Sequence, residues 1–368
     1  MDLNAVNRNI TIDDFDSVLT YSDQAQWSTP DPSANNFTTN GSPWLTATYH
    51  NTTVKGASVS LNFTGAGVYL YGAQGPAYGS YELSIDGKVL KGTNYRQNGS
   101  NNASQLIFGA SDLTFANHQL VLSNAGANGK EGNALLFDYA VVTAQMAPAG
   151  ATVKDTTFEE TDPGIKYSGT WASNKSPLFS GGGSAYTDDD GGSFEFSFEG
   201  SAIYIFGDKK NDHRGYTVTL DSQPSASFNG TSGCGGAFGL TCEQQNPCLK
   251  FLATNLGEGN HTVKVINNAK GPAQSSNSFF DLDSIVITVP SVYAPRNLST
   301  SSSPFLNGSD SGSSDGSSSS GSSSGGSGST GPIVFNGSSA SPLPMTHSLL
   351  LLIFGIIFIL RPWSNLRK

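Results

Sequence analysis

The chain has 368 residues, of which 13% are charged, and it carries a formal net charge of −10 at pH 7. This negative charge argues against nucleic acid as a partner and against a polybasic patch that binds membrane lipids. The composition is rich in Gly, Ser, Thr and Asn and poor in Lys, which is typical of a secreted protein. The length suits two domains of ordinary size, each large enough to bury a core.

The first residues do not have the pattern of a secretory signal peptide. Residues 1–9 are polar and contain none of the apolar stretch that such a peptide needs. Because other features predict an extracellular protein, we expect the natural chain to start upstream of Met1, with a signal peptide that this sequence lacks.

The chain repeats one pattern at an interval of roughly 145 residues, far longer than the repeat of a solenoid. Residues 12–22 return as residues 158–168, with acids, an aliphatic residue and a Tyr-Ser pair at matching places. This pattern indicates duplication of a whole domain. Further matched positions are Gly56, Ser58, Phe63, Gly65, Tyr69, Gly72, Tyr81 and Asp86 in the first copy, and Gly191, Ser193, Phe198, Gly200, Tyr204, Gly207, Tyr216 and Asp221 in the second.

Both copies alternate apolar and polar residues, as β-strands with one buried face do. The alternation is clearest at residues 59–63 and 194–198, and Asp86-Gly87 is a signal for a tight hairpin turn. We find no amphipathic helix. Many short strands with Gly- and Asn-rich turns predict an all-β fold, with one sandwich or jelly roll for each copy. The other predicted strands are 68–71, 81–85, 119–122 and 136–142 in the first copy, and 203–206, 216–220, 262–266 and 282–289 in the second.

The C-terminal part of the chain has a different composition. Residues 299–331 are almost entirely Ser and Gly, which predicts a flexible stalk. Residues 349–360 are apolar throughout, but as a helix they would span only about 18 Å of a hydrocarbon core of about 30 Å. A glycolipid anchor attached at Asn336 fits this short segment. A short transmembrane helix is the alternative, because the basic residues 361–368 are typical of a cytoplasmic flank.

Many Asn-x-Ser/Thr sequons support an extracellular location, since this motif accepts N-linked glycans. The alternation of residues 59–63 places Asn62 opposite the apolar face, where a glycan has room. We expect several sequons to be unoccupied. The candidates are Asn36, Asn51, Asn62, Asn98, Asn102, Asn174, Asn229 and Asn260, and further sequons occur at Asn9, at Asn40 and beyond residue 290.

The three cysteines, Cys234, Cys242 and Cys248, all lie in the second copy. Since the first copy has none, disulfides do not hold this type of domain together. In an oxidising compartment we expect one local disulfide that involves Cys242 or Cys248 and restrains a long loop. Free thiols or an intermolecular disulfide are the alternatives. A zinc site is not expected, because it needs about four ligands.

The order of these features resembles that of galactose-binding-like β-sandwich domains. The shared features are an acidic first strand followed by Tyr-Ser and Trp, glycine-flanked strands, a strand from Tyr to Asp, an Asn-His pair, and an Asp in the last strand. The chain looks most like the tandem pair of such domains in fungal cell-surface proteins, over residues 10–290. This resemblance implies two jelly-roll sandwiches related to carbohydrate-binding modules, lectins and adhesion domains, although a fold alone does not determine the ligand.

The resemblance also implies a structural Ca²⁺ between the first and last strands of each copy. The candidate ligands are Asp14 with Asp138 and Glu160 with Asp283, whose carboxylate oxygens suit this ion. The alternative is an acidic strand edge that accepts hydrogen bonds from turn amides and Thr hydroxyls. No other cofactor is expected.

Five aromatic residues are candidates for stacking on a sugar ring. Trp27 and Trp171 follow the Tyr-Ser pair in both copies, and this recurrence favours packing over binding. Trp44, Tyr78 and Tyr95 lie in segments rich in Gly, Asn and Pro in the first copy, and aromatic residues in loops are better candidates for ligand binding.

These observations predict a non-enzymatic cell-surface glycoprotein that binds cell-wall or extracellular polysaccharide. No acid–base pair recurs beside His118 and His261, so no catalytic residue is expected. One alternative is a membrane-spanning structural or sensory ectodomain without a sugar site, and another is a glycan-active enzyme or its accessory subunit. The predicted segments are the two sandwiches at 1–146 and 150–290, the stalk at 291–347, the membrane anchor at 348–360 and a basic tail at 361–368.

Overall fold

The fold consists almost wholly of β-strands, as the sequence predicts, and the prediction of an all-β fold is confirmed. The predicted stalk from residue 299 onward, the predicted membrane anchor and Asn336 lie outside the described residues. The computed structural model describes residues 2–31, 37–127, 129, 132–233, 247–268, 278–295 and 298.

The first part of the chain forms a sandwich of two antiparallel sheets, which we call the first sandwich. Two short 3-10 helices, Gln24–Gln26 and Leu45–Ala47, lie between its second and third strands. Its strands are β1 (Val6–Asp13), β2 (Leu19–Tyr21), β3 (His50–Thr52), β4 (Ser58–Gly65), β5 (Gly67–Ala73), β6 (Ser80–Ile85), β7 (Lys88–Thr93), β8 (Ser104–Ala110), β9 (Ala116–Gly126) and β10 (Leu135–Ala147).

One sheet of the first sandwich has the strand order β1-β10-β5-β8, with β3 also paired to β10, and the other has the order β2-β4-β9-β6-β7. The apolar residues of the predicted alternation meet between them. Ile12, Leu70, Leu61 and Leu83, from both sheets, belong to one hydrophobic core and are at most 2% exposed. The period of two along each strand therefore accounts for the two-layered fold.

The predicted hairpin turn joins β6 to β7. Asp86 and Gly87 both have positive φ angles, 52° and 79°, which a tight hairpin with right-handed twist requires. The carboxylate of Asp86 accepts a hydrogen bond from the backbone N–H of Gln119 at 2.9 Å and lies 2.7 Å from Nδ1 of His118. The recurring Asp and Asn-His positions thus form a corner between neighbouring strands.

The second part of the chain forms another pair of antiparallel sheets, which we call the second sandwich. A 3-10 helix, Ser180–Gly182, precedes its fourth strand. Its strands are β11 (Val153–Glu159), β12 (Lys166–Ser168), β13 (Ala172–Lys175), β14 (Gly183–Thr187), β15 (Ser193–Glu199), β16 (Ala202–Gly207), β17 (Gly215–Leu220), β18 (Ala226–Asn229), β19 (Cys248–Ala253), β20 (Asn260–Asn267), β21 (Phe280–Leu282) and β22 (Ser284–Pro290).

The main sheets of the second sandwich have the orders β11-β22-β16-β19 and β12-β15-β20-β17-β18, and a small sheet β13-β14-β21 lies at one end. Phe194, Ile205, Val263 and Ile285 fill the core between the two main sheets. The corner of the first sandwich recurs here, because Asp221 accepts a hydrogen bond from the N–H of Thr262 at 2.8 Å.

The first sandwich packs on the outer face of the sheet β11-β22-β16-β19. Tyr204 and Leu249 point away from the core of their own sandwich and belong to the hydrophobic core that includes Ile12 and Met146. Polar contacts border this junction, including a hydrogen bond of 2.9 Å from Arg8 to the carboxylate of Asp155. The two sandwiches are therefore in direct contact over a surface with apolar and charged parts.

Candidate functional site

Loops at one end of the first sandwich bring several of the predicted aromatic residues together. Trp44 packs edge-on against Tyr49, with ring centroids 5.2 Å apart. Both rings lie against a small apolar cluster that includes Tyr78 and Leu136. Trp44 and Tyr49 are half-buried, so each ring keeps part of its surface in solvent.

Tyr78 lies beneath these rings and supports the loops. It is 5% exposed, and its hydroxyl donates to the carbonyl of Asn101 at 2.9 Å. Burial raises the pKa of Tyr78 to about 12, so the hydroxyl remains a donor at neutral pH. Tyr95 lies on the adjoining loop, forms a short parallel bridge with Gly75 and is half-buried. The ring faces nearest to solvent at this end are therefore those of Trp44, Tyr49 and Tyr95.

Trp27 and Trp171 follow matching strands but differ in exposure. Trp27 is 6% exposed and packs against Tyr21, with ring centroids 5.1 Å apart. Trp171 is half-buried, lies 4.6 Å from Tyr167 and donates its indole N–H to the carbonyl of Ser168. A buried ring has no face to offer a sugar, so Trp27 is a packing residue and does not take part in a ligand surface.

Of the carboxylates predicted to bind calcium in the first sandwich, Asp14 is occupied by protein donors, whereas the Oδ2 atom of Asp138 is buried without a hydrogen-bond partner. Asp14 is fully buried and accepts a hydrogen bond of 2.7 Å from the Thr48 hydroxyl, while its other oxygen lies 2.7 Å from Nδ1 of His50. Asp138 accepts a hydrogen bond from the N–H of Leu45 at 3.0 Å. Burial raises the pKa of Asp138 to about 7.

The equivalent group in the second sandwich has fewer protein donors. Glu159 accepts a hydrogen bond from the Ser180 hydroxyl at 2.8 Å, but its Oε2 atom is buried without a hydrogen-bond partner. The Oδ1 atom of Asp283 is also buried without a hydrogen-bond partner. Burial, with the charge of Glu159 beside it, raises the pKa of Asp283 to about 7. Burial also raises the pKa of Glu160.

Metal binding by side chains alone has no support in this arrangement. Within the described ranges, no group of three or more His, Cys, Asp or Glu side chains is placed to hold a metal ion. A cation near Glu159 and Asp283 would therefore need hydroxyl or backbone carbonyl oxygens as additional ligands, as calcium often does.

The corresponding end of the second sandwich carries ionisable side chains where the first is apolar. One parallel bridge in each sandwich identifies His213 as the counterpart of Tyr78. Tyr78 pairs with Ala134 in the first sandwich, and His213 pairs with Phe279 in the second. The antiparallel strand registers likewise place Asp281 at the position that Leu136 has in the first sandwich. Burial raises the pKa of Asp281 to about 8 and lowers that of His213 to about 3.

Lys250 completes this buried charged cluster. It is 1% exposed, and its ammonium lies 4.9 Å from the ring centroid of Phe280 and 5.6 Å from that of Tyr216. The ammonium has no hydrogen-bond partner within the described part of the chain. Burial lowers the pKa of Lys250. Sequence reasoning missed this cluster, because its members come from separate strands and do not recur in the first copy.

The structure describes some of the other predicted positions. Cys248 is buried at the start of β19 and packs against Phe15, whereas Cys234 and Cys242 lie outside the described residues, as does Asn36. The other predicted glycosylation sites have accessible side chains. Asn98, Asn102, Asn229 and Asn260 are exposed, and Asn51, Asn62 and Asn174 are half-buried.

The chain is similar to two curated enzymes of Flavonifractor plautii, and no family model matches it. It is 26% identical over 227 residues to "A type blood alpha-D-galactosamine galactosaminidase", a match that covers 61% of this chain. It is 30% identical over 142 residues to "A type blood N-acetyl-alpha-D-galactosamine deacetylase", a match that covers 39% of this chain. The chain spans only 19% and 16% of the lengths of these relatives.

The chain is also similar to several solved structures, at low sequence identity and low TM-score. A xanthan lyase of Paenibacillus has a TM-score of 0.26 at 14% identity, over 74% of this chain and 25% of the lyase. A family 35 carbohydrate-binding module of Clostridium thermocellum has a TM-score of 0.25 at 14% identity, over 36% of this chain and 98% of the module. The ANXUR2 extracellular domain of Arabidopsis thaliana has a TM-score of 0.28 at 8% identity, over 77% of this chain and 97% of that domain.

One expectation from the sequence changes in the light of the curated relatives. The prediction that the protein is not an enzyme is contradicted, because both curated relatives are named as enzymes. No helix in the described residues is long and apolar enough to cross a membrane. The predicted membrane segment at 348–360 lies outside those residues.

Proposed function

We propose that the first sandwich binds a glycan with a terminal galactose-type amino sugar and that the chain serves a glycan-active enzyme. The supporting observation is that two curated relatives with different reactions both match this chain. One is a galactosaminidase and the other is a deacetylase, and both names contain a galactosamine of the A blood type. Because these reactions break different bonds, similarity of this chain to both enzymes is better explained by the sugar that their names share than by either reaction.

The end of the first sandwich that carries Trp44 and Tyr49 is the site that we propose for the sugar. Half-exposed aromatic rings can bury the apolar C–H face of a pyranose. Polar groups must then satisfy the sugar hydroxyls, and Asn98 and Asn102 are exposed on the neighbouring loop. The buried Tyr78 beneath the rings holds this surface in place before a ligand arrives.

A structural Ca²⁺ in the second sandwich is part of this proposal. Glu159 and Asp283 each present a buried carboxylate oxygen without a hydrogen-bond partner, and such oxygens suit this hard cation. In the first sandwich, Thr48 and His50 already engage both oxygens of Asp14, although the Oδ2 atom of Asp138 is buried without a hydrogen-bond partner. Bound Ca²⁺ would neutralise the acidic groups between the first and last strands and so hold those strands together.

An extracellular location, with attachment to a membrane through the C-terminal segment, stays a prediction. It depends on the composition of the chain, its sequons and the apolar residues 349–360. Digestion with a phosphatidylinositol-specific phospholipase tests the glycolipid anchor, since it releases an anchored protein and leaves a transmembrane one in place.

Glycan binding can be tested with the full chain on an array of oligosaccharides, followed by calorimetry on those that bind. We expect binding to glycans that end in galactosamine, N-acetylgalactosamine or galactose, and about a tenfold loss of affinity in Trp44→Ala. Trp171→Ala is the matched control in the second sandwich and should bind as the wild type does. An array without signal, or equal affinities for Trp44→Ala and the wild type, would contradict the proposal.

The catalytic part of the proposal needs its own assay. The full chain is incubated with the same oligosaccharides, and release of the terminal sugar and of acetate is measured separately. Release of either product would show that this chain carries a reaction itself. Binding without release would show that it supplies recognition to a separate catalytic unit.

A further inference from the structure

One sheet of the first sandwich has an outer face that is apolar and partly exposed. Tyr69, Tyr71, Tyr139, Val141 and Leu106, which we call the tyrosine face, point away from the core on β5, β10 and β8. Tyr71 and Tyr139 stack across neighbouring strands, with centroids 4.3 Å apart and rings inclined by 9°. Leu106 is 48% exposed. An exposed apolar face of this kind is typical of an interaction surface.

The second sandwich has an equivalent face, and the strand register identifies it. Tyr69 lies opposite Val141 in the first sandwich, as Tyr204 lies opposite Val286 in the second. The next residue on the same face of β5 and β16, two positions further along the strand, gives a matching correspondence. Tyr71 lies opposite Leu106, and Phe206 lies opposite Leu249.

The equivalent face is covered by the first sandwich. Leu249 is 3% exposed, whereas its counterpart Leu106 is 48% exposed. The carboxylate of Asp16 accepts a hydrogen bond of 2.6 Å from the N–H of Leu249. The N–H of Ser17 donates to the carbonyl of the same residue at 3.0 Å. The turn after β1 is therefore seated on β19.

The edge strand β1 contributes a second contact to the covered face. Arg8 donates to Asp155 at 2.9 Å and to the hydroxyl of Thr288 at 3.1 Å, and Thr288 also donates to Asp155 at 2.7 Å. In the first sandwich Thr143 donates to Asn9 at 2.7 Å in the same way. Asp155 and Thr288, which bind Arg8, thus correspond to the uncharged pair Asn9 and Thr143 beside the tyrosine face.

We infer that the tyrosine face binds a second copy of this chain. The copy presents strand β11 and the turn after it, just as β1 and its turn are presented to the second sandwich within one chain. The repeat places Lys154 at the position of Arg8 and Asp162 at the position of Asp16. Lys154 is exposed and Asp162 is half-buried, so both can reach a partner. Lys154 would donate to the Asn9–Thr143 pair, and Asp162 would accept from the N–H of Leu106.

This contact is heterologous, since a different surface is used on each copy. Such contacts join molecules head to tail and form rings or open chains. The association is weaker than the contact within the chain for two reasons. Phe15, which is fully buried in the junction, is replaced by Thr161, and the charged Asp155 is replaced by Asn9. We therefore expect reversible association at high protein concentration.

Sedimentation velocity of the full chain, from about 1 µM to about 500 µM, tests the proposal. The protein is produced without N-linked glycans, because Asn9 lies in a sequon beside the tyrosine face. The weight-average mass should rise with concentration. Leu106→Asp, which disables the face, and Asp162→Arg, which disables the turn, should each reduce association at least tenfold. Val89→Asp, at another exposed apolar position, should associate as the wild type does.

A mixture of the two disabled variants gives the sharpest result. Leu106→Asp retains the turn and Asp162→Arg retains the face, so together they should form dimers and nothing larger. A wild type that stays monomeric over the whole concentration range would overturn the proposal. Association that both variants retain would overturn it as well, because the contact would then lie elsewhere.

Discussion

The carboxylate of Asp16 binds the backbone N–H of Leu249 at 2.6 Å, although 233 positions separate the two residues in the chain. Its second oxygen accepts from the N–H of Asp13 at 2.8 Å, and the buried ammonium of Lys209 attracts it. Burial raises the pKa of Asp16 to about 7. One carboxylate therefore joins a turn of the first sandwich to a strand of the second.

Asp16→Ala should lower the free energy of unfolding by about 3 kcal/mol, because it leaves the buried N–H of Leu249 without its acceptor and removes the negative charge that attracts the buried Lys209 ammonium. Urea denaturation measures the effect. Asp162→Ala is the control at the matching position, where the carboxylate accepts only a local hydrogen bond from Gly164. Its effect should be below about 1 kcal/mol. Equal losses in the two variants would show that Asp16 does not hold the junction.

The stability should depend on pH through His213. Burial lowers the pKa of its imidazole to about 3, below the usual value of about 6.5. Between these values the unfolded chain binds a proton that the folded chain does not, so stability present at pH 7 is lost as the pH falls. From pH 7 to pH 4 the wild type should lose about 3 kcal/mol more than His213→Gln.

Denaturant titrations at several pH values measure this difference. His261→Gln is the matched control, because its imidazole bonds Asp221 at the surface and not inside the charged cluster. The stability curve of this control should still show the wild-type loss between pH 7 and pH 4, because His213 is unchanged in it. If the curve of His213→Gln does so as well, the imidazole is not buried in its neutral form.

Calcium should stabilise the protein through the second sandwich. At a concentration about a hundred times the dissociation constant, a single site adds about 2.7 kcal/mol to the free energy of unfolding. Calorimetry in Ca²⁺ and in EDTA should show this as a higher Tm that Glu159→Gln abolishes. Asp14→Asn should keep the full calcium effect, since its own acceptors are engaged by Thr48 and His50. A Tm that does not respond to Ca²⁺ would contradict the proposed calcium site.

Two recurring glycines should tolerate no side chain. A methyl group on Gly72 would collide with the carbonyl oxygen of Leu136, and one on Gly207 would collide with that of Asp281. Alanine at either position should cost about 3 kcal/mol. Gly56→Ala is the comparison, because Gly56 has a φ of +90° with open space around it and alanine there should cost about 1 kcal/mol. Similar losses of stability in Gly56→Ala and Gly72→Ala would show that close contact with the neighbouring strand does not determine the cost at Gly72.

The local patterns of the sequence were sufficient to predict many of the core strands. The alternation of residues 59–63 appears as β4, which extends from Ser58 to Gly65, and the Asp86-Gly87 turn joins β6 to β7. The strands that were not predicted are β2, β3, β7, β8, β12, β13, β14, β18 and β19. Their side chains show weaker alternation, and β8 and β19 each contain a register shift opposite β5 and β16.

The candidate site was predicted only in part. Trp44 and Tyr95 were selected because they lie in loops, and the structure places both at one end of the first sandwich. Tyr49 was missed, because a tyrosine next to a short strand has no signal of its own. Trp27 was selected with the others but is buried against Tyr21, and no local pattern distinguishes a packed indole from an exposed one.

The sequence by itself determined the all-β class and the repeated pattern of strands, because alternation and turn residues act over a few neighbouring positions. Only the tertiary structure decided which surfaces meet. The bond between Asp16 and Leu249, the charged cluster around Lys250 and the exposure of Leu106 all depend on contacts between distant segments. The energies of such contacts come from burial and from the satisfaction of polar groups, and these exist only after the sheets have packed.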